Sequence, residues 1–105
     1  MDRLAMLNEI LAQNPNDTFA RYGLAMEYSK SGDVERALGE FRKLLGSNPD
    51  YTAGYFMAAQ TLSRAGRNEE AREFLADGIA AAKRTRNAHA QSEMEAMQEE
   101  LGPAS

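Results

Sequence analysis

Apolar residues recur along this chain at the spacing of one helical face, in runs separated by turn-forming residues. An apolar residue at every third or fourth position places its side chains along one side of an α-helix. The first such run consists of Leu4, Leu7, Ile10 and Leu11. Asp2 can cap its start, and Asn14 precedes a proline, which disfavours the helical conformation. This pattern therefore predicts a first helix that ends near Gln13.

The next two runs form a pair around a glycine. Asn16 or Asp17 caps the first helix of the pair, which we predict over residues 17–30. Gly32 suits the left-handed turn that commonly follows a helix, and Asp33 can cap the second helix. The apolar positions of the second helix are Val34, Ala37, Leu38, Phe41, Leu44 and Leu45. Together the two runs predict a helix-turn-helix unit.

The same arrangement then repeats, with helices predicted over residues 52–64 and 68–84 on either side of Gly66. A glycine inside a helix costs about 1 kcal/mol relative to alanine, so we expect Gly78 to mark close packing against a neighbouring helix. After Thr85 the pattern allows two interpretations. Asn87 tolerates the left-handed conformation, which favours a break and a final helix over residues 88–101. The alternative is a single helix that runs straight through.

The runs recur with a period of 34 residues. A shift of this length aligns Pro15 with Pro49, Gly32 with Gly66, Leu4 with Leu38, and Leu11 with Leu45. Self-similarity at a fixed period of this length is typical of helical repeat proteins. The first helix therefore corresponds to the second helix of a unit whose first helix is absent.

The unit resembles the tetratricopeptide repeat, whose 34-residue pattern runs Trp-x2-Leu-Gly-x2-Tyr, Ala-x3-Phe and Pro. In the first unit these positions hold Arg21, Leu24, Ala25, Tyr28, Ala37, Phe41 and Pro49. Five are the family residue, and alanine is the usual substitute for the glycine. In the second unit they hold Tyr55, Ala58, Ala59, Leu62, Ala71, Leu75 and Lys83, of which Ala71 alone is the family residue.

This resemblance implies an all-α fold, an antiparallel array of about six helices in a right-handed superhelix. We expect a single domain over residues 1–105: an N-terminal helix (1–14), two repeats (18–51 and 52–85) and a C-terminal capping helix (88–101). We expect the structural repeat core to consist of Leu24, Ala25, Tyr28, Ala37, Phe41, Pro49, Ala59, Leu62, Ala71 and Leu75. The small residues allow the two helices of a unit to approach closely. Tyr28 and Phe41 are expected to fill the space between units.

The first helix of each unit carries a second stripe, turned by about one residue from the core stripe. In the family these positions line a concave groove that binds peptides. The groove residues predicted here are Phe19, Tyr22, Met26, Lys30, Phe56, Gln60 and Arg64. Aromatic and methionine side chains suit an apolar or amphipathic segment. The alternative is that Phe19, Tyr22 and Phe56 pack under a terminal helix.

One well-known groove of this family grips the terminal carboxylate of its partner with lysine and asparagine side chains. In this chain the corresponding positions hold Tyr22, Met26 and Met57. We therefore predict that this chain has no such carboxylate clamp.

Composition excludes several other functions. The net charge of −4 argues against binding nucleic acid, and the absence of cysteine excludes disulfides and thiolate chemistry. No apolar run of membrane-spanning length and no secretory signal is evident, so we expect a cytoplasmic location without membrane contact. The single histidine, His89, has Glu93 four positions on, which predicts a helix ion pair more strongly than a metal site.

These observations predict a protein-interaction module that is not an enzyme and needs no cofactor or metal. Its expected partner is a peptide or helix of another protein, held in the concave groove, with Lys30 and Arg64 adding orientation. Self-association through the terminal helices, giving a homo-oligomer, is the alternative function.

Overall fold

The computed structural model describes residues 2–102 and contains six helices within that range. They are α1 (Arg3–Gln13), α2 (Thr18–Lys30), α3 (Val34–Ser47), α4 (Thr52–Arg64), α5 (Asn68–Arg84) and α6 (Ala88–Leu101). No strand occurs in this part of the chain. The prediction of an all-α helical repeat array is confirmed, and so is the break between α5 and α6. Pro103, which follows the last helix, lies outside the described residues.

Side-chain caps begin four of the helices. The carboxylates of Asp2, Asp17 and Asp33 accept hydrogen bonds from the backbone N–H groups of Ala5, Ala20 and Arg36, and Asn87 does the same for Ala90. Each cap satisfies one of the N–H groups that the first turn of a helix leaves without a partner. Asp17 rather than Asn16 is therefore the cap of α2.

Three turns share one hydrogen-bond pattern, in which a residue with positive φ follows the helix. Gly32 (φ 81°), Gly66 (φ 78°) and Arg86 (φ 56°) occupy this position. In each case the next residue donates its N–H to a carbonyl five positions back, as Asp33 does to Tyr28. The sequence predicted a left-handed conformation at Asn87 in the last turn. In the structure Arg86 adopts that conformation, and Asn87 caps α6.

The chain divides into two compact units, one ending at Asn48 and the other beginning at Pro49. In the first unit, α1 packs on α2 and α2 packs on α3. Leu7 and Leu11 of α1 form one buried cluster with Ala20 and Leu24 of α2. The position of α1 against α2 is therefore fixed by apolar contacts.

An ion pair between Arg21 and Glu40 joins α2 to α3 in the first unit. An Arg21 Nη1 atom lies 2.7 Å from Glu40 Oε2, and Arg21 Nη2 donates to the carbonyl of Pro15 at 2.8 Å. Both charged side chains are largely buried, at 16% and 14% exposure. Arginine at this position, where the family has tryptophan, thus acts through an ion pair between α2 and α3.

In the second unit, α5 packs against both α4 and α6, and α6 also contacts α4. Gly78 lies at the point where the three helices meet. A Cβ atom there would lie 2.5 Å from Sδ of Met94 and 2.6 Å from Cβ of Tyr55. The expectation that Gly78 marks close helix packing is confirmed.

Candidate functional site

An open cleft of about 480 Å³ lies in the first unit, beside α2. Its lining consists of Arg3, Phe19, Tyr22, Gly23, Met26, Glu27 and Lys30. Four of these are predicted groove residues, spaced along one face of α2. The cleft thus brings together the whole first-unit part of the predicted groove.

Phe19 is the most exposed large apolar side chain in the described part of the chain, at 73%. It sits in the first turn of α2, behind the Asp17 cap that fixes the start of this helix. The α1 helix of the same unit therefore does not cover Phe19. The interpretation in which Phe19 packs under α1 is wrong for this residue, whereas Tyr22 is half-buried.

Gly23 shapes the floor of the cleft, because α1 approaches α2 at this position. A Cβ atom on Gly23 would lie 3.2 Å from a methyl group of Leu7 and 3.4 Å from Arg3 Nη2. The sequence predictions did not include Gly23, Arg3 or Glu27 among the site residues. For Gly23, the signal available in the sequence was a glycine inside a helix between two apolar residues.

The charged groups of the cleft share a single carboxylate. Arg3 Nε lies 2.8 Å from Glu27 Oε1, and Lys30 Nζ lies 3.9 Å from the same oxygen. Both cations remain accessible, since their side chains are 52% and 70% exposed, whereas Glu27 is 24% exposed. The cleft therefore carries more positive than negative charge in a chain whose net charge is −4.

The remaining predicted groove residues belong to the second unit. Phe56 and Gln60 are half-buried on α4, and Arg64 at the end of that helix is exposed. Met94 of α6 and Tyr55 of the α4 core stripe both lie next to Gly78. Phe56, Gln60 and Arg64 are not part of the cleft lining.

Most of the residues expected in the repeat core are buried. Those with exposures of 2% or less are Leu24, Ala25, Ala37, Phe41, Ala59, Leu62, Ala71 and Leu75. Tyr28 is half-buried: it packs against the α1–α2 cluster, and the guanidinium of Arg36 lies 5.8 Å from its ring centre. Pro49 is exposed, and its carbonyl accepts a hydrogen bond from the Tyr55 hydroxyl at 2.7 Å.

The sequence left two other features to check, a metal site at His89 and a membrane-spanning helix. His89 Nε2 lies 3.4 Å from Glu93 Oε1 on the exposed side of α6. Between residues 2 and 102, no group of three or more histidine and acidic side chains is arranged to hold a metal ion. No helix in the same range is both long and apolar enough to cross a membrane.

Comparison with known proteins agrees with the repeat pattern. The family profile described as "Tetratricopeptide repeat" matches residues 28–93. A TPR repeat-containing protein of Pseudomonas aeruginosa is 30% identical over 88 residues, which cover 84% of each chain. An uncharacterized protein of Methanocaldococcus jannaschii is 42% identical over 62 residues, covering 59% of this chain and 72% of its own.

Solved structures show the same architecture. The solution structure of a tetratricopeptide repeat domain protein from Salinibacter ruber superposes with a TM-score of 0.77 at 30% identity, covering 85% of this chain and 90% of that one. The solution structure of a Bordetella parapertussis protein gives a TM-score of 0.82 at 24% identity, covering 96% and 88%, and supports the fold alone. With its 34-residue period, its helix pairs and these matches, the chain belongs to the tetratricopeptide repeat family.

Proposed function

We propose that this chain is a non-catalytic interaction module that binds a peptide or a helix of a partner protein along the predicted groove stripes of α2 and α4. Tetratricopeptide repeat domains generally mediate protein–protein interaction and are generally without catalysis. The residues assigned to binding are Phe19, Tyr22, Met26 and Lys30 on α2, with Phe56, Gln60 and Arg64 on α4. In this proposal the chain catalyses no reaction.

The 73% exposure of Phe19 beside the cleft is the observation that carries this proposal. An exposed aromatic ring next to a concave apolar surface is typical of the anchors that dominate protein interfaces. Fully burying a side chain of this size stabilises a complex by roughly 1.5–3 kcal/mol. Met26 adds a flexible side chain that adapts to the shape of its partner.

The cations at the ends of the stripes have a different role. Lys30 is 70% exposed, and exposed ion pairs contribute little to affinity because water and salt screen them. Such charges mainly steer a partner into one orientation and raise the association rate. We therefore assign affinity to the apolar side chains, and orientation to Lys30 and Arg64.

Capture experiments with charge-inserting variants test the proposal. Phe19→Asp and Phe56→Asp are expected to abolish capture of the binding partner from lysate of the source cells, whereas Ala80→Asp, which adds the same charge at an exposed position of α5, is expected to retain it. Melting temperatures of the three variants provide the folding control. Equal capture by all three variants would refute the groove assignment.

Self-association is the second candidate function, and the exposure of α1 favours it. Met6 and Ile10 are 46% and 39% exposed on the same side of this helix. Apolar residues on a terminal helix are suited to an isologous dimer. Light scattering across a range of concentrations decides between the two functions, since a strict monomer removes this one.

A further inference from the structure

One face of α1 is open to solvent, although its counterpart in the next repeat is buried. The 34-residue register pairs Met6 with Glu40, and Ile10 with Leu44. Glu40 faces α2 and contacts Arg21 at 2.7 Å, and Leu44 is 1% exposed. Met6 and Ile10 are 46% and 39% exposed. Within residues 2–102, α1 therefore lacks the partner helix that α2 provides for α3.

This open face continues into the α1–α2 cleft. Arg3, Met6 and Ile10 are spaced three and four residues apart and share one stripe of α1, and Arg3 lines the cleft. We call the combined surface of Arg3, Met6, Ile10, Phe19, Met26 and Lys30 the N-terminal seat. The described large hydrophobic side chains that are exposed, namely Met6, Ile10 and Phe19, all belong to it. The exposed apolar side chains are thus concentrated in the seat, whose α1 part corresponds to the side of α3 that faces α2.

The charge of the seat indicates what kind of helix fits. Arg3 and Lys30 share the single Glu27 oxygen at 2.8 and 3.9 Å, which leaves one positive charge in excess. A helix that brings a carboxylate next to these cations would balance this charge. The apolar residues between them require an apolar stripe on the same helix.

We propose that the N-terminal seat binds one amphipathic helix of a partner protein. Its apolar stripe packs on Met6, Ile10 and Phe19, and a carboxylate on its flank pairs with Arg3 or Lys30. The bound helix lies against the face of α1 that corresponds to the α2-facing side of α3, with Arg3 at the position of Ala37. The inference rests on the proposed function, because Phe19, Met26 and Lys30 are shared with the proposed groove. It adds the α1 residues and the chemical class of the partner.

A designed peptide can serve as the probe. It has the sequence of residues 17–33 with Arg21→Trp and blocked ends, because opposite Met6 an arginine would lack the acidic partner that Glu40 provides. Three carboxylates and one lysine leave this peptide negatively charged. The protein contains no tryptophan, so the tryptophan emission of the peptide reports docking without interference.

We expect saturable binding with a blue shift of the emission. Ile10→Asp is expected to weaken binding at least about tenfold, because it places a charge in the apolar contact. Ala12→Asp, at an exposed position on the opposite side of α1, adds the same charge outside the seat and is expected to leave the affinity unchanged. The double change Arg3→Gln and Lys30→Gln is expected to lower affinity about threefold to tenfold at low salt and to reduce its salt dependence.

Three results would overturn the inference. The first is no saturable emission change up to about 1 mM peptide. The second is equal binding by the wild-type chain and Ile10→Asp, with Ile10→Ser as a repeat if the aspartate lowers the melting temperature. The third is a wild-type dimer that Ile10→Asp dissociates and the peptide does not, because a second copy would then occupy the seat.

Phe56→Asp separates this inference from the proposed function, since Phe56 lies on α4 and outside the seat. If the peptide fails to bind but partner capture still depends on Phe56, the seat is refuted and the groove proposal stands. If the peptide binds as described but capture is insensitive to both Phe19 and Phe56, the groove proposal is refuted instead.

Discussion

Met94 of α6 packs directly onto Gly78 of α5. A Cβ atom at position 78 would lie 2.5 Å from the Met94 sulfur and 2.6 Å from Cβ of Tyr55. The methionine end is flexible, but the Cβ of Tyr55 is fixed to the backbone of α4. Gly78 therefore sets how closely α4, α5 and α6 approach each other.

Replacing this glycine should destabilise the protein. We expect Gly78→Ala to lower the free energy of unfolding by about 1–3 kcal/mol through overpacking, which outweighs the gain in helix propensity. Gly39→Ala is the matched control, because nothing lies within 4 Å of a Cβ at that position of α3. It should raise stability by about 0.5–1 kcal/mol. Urea unfolding of the two variants measures both effects, and changes of the same sign would contradict this packing.

Phe41 is the largest fully buried side chain and has 0% exposure. Removing its ring leaves a cavity that the surrounding helices can only partly fill. We expect Phe41→Ala to lower the free energy of unfolding by roughly 3–5 kcal/mol. A thermal melt that shows no destabilisation would refute the assignment of Phe41 to the repeat core.

Losing one partner of the Arg21–Glu40 pair should lower the free energy of unfolding more than losing both partners. Glu40→Leu leaves a largely buried guanidinium without its carboxylate, so we expect a cost of about 2 kcal/mol. Replacing both residues by apolar ones, as in Arg21→Met with Glu40→Leu, should return stability to near the wild-type value. A double-mutant cycle measures this coupling, and strictly additive losses would contradict it.

Titration of the Tyr55 hydroxyl should make the free energy of unfolding depend on pH in the alkaline range. Burial first, and then the carboxylate of Asp77, raise the pKa of its hydroxyl above the ordinary 10.0; Arg84 lowers that pKa and Asp50 raises it. The folded protein therefore keeps this proton where the unfolded chain releases it. The resulting contribution to stability is complete below about pH 10 and is lost as pH rises through the folded-state pKa.

Tyr55→Phe isolates this contribution. The variant should lose about 1 kcal/mol at neutral pH, because the hydrogen bond to the Pro49 carbonyl is removed. Above about pH 10 its stability should fall less steeply than that of the wild-type chain. Parallel slopes for the two proteins in urea titrations between about pH 9 and 11 would contradict the raised pKa.

The sequence alone predicts the helices well, since local chemistry sets their ends. Asn14 before Pro15 ends α1 and Asp17 caps α2, whereas Gly32 follows the end of α2 and Asp33 caps α3. These signals act over a few residues and can be read without knowing the fold. The bounds of α4, α5 and α6 were also predicted correctly, although of these three helices only α6 begins with a side-chain cap.

Other features depend on tertiary contacts and could not be read in this way. Arg86 adopts positive φ and Asn87 caps α6, although residue type favoured Asn87 for the left-handed conformation. Arg3 and Glu27 are far apart in sequence and meet where α1 packs on α2 beside Gly23. The exposure of Phe19 likewise depends on which helices are present beside α2.

Photo-crosslinking from position 19 tests whether a partner binds along the groove stripes of α2 and α4. A photoreactive phenylalanine analogue replaces Phe19, which is 73% exposed and tolerates the change without loss of packing. A second protein carries the analogue at the exposed Ala80 of α5 as the control. We expect one or a few discrete partner adducts from position 19, lost when Phe56→Asp is added, and none of them from position 80. The same adducts from both positions, or adducts from position 19 that consist only of the chain itself, would contradict it.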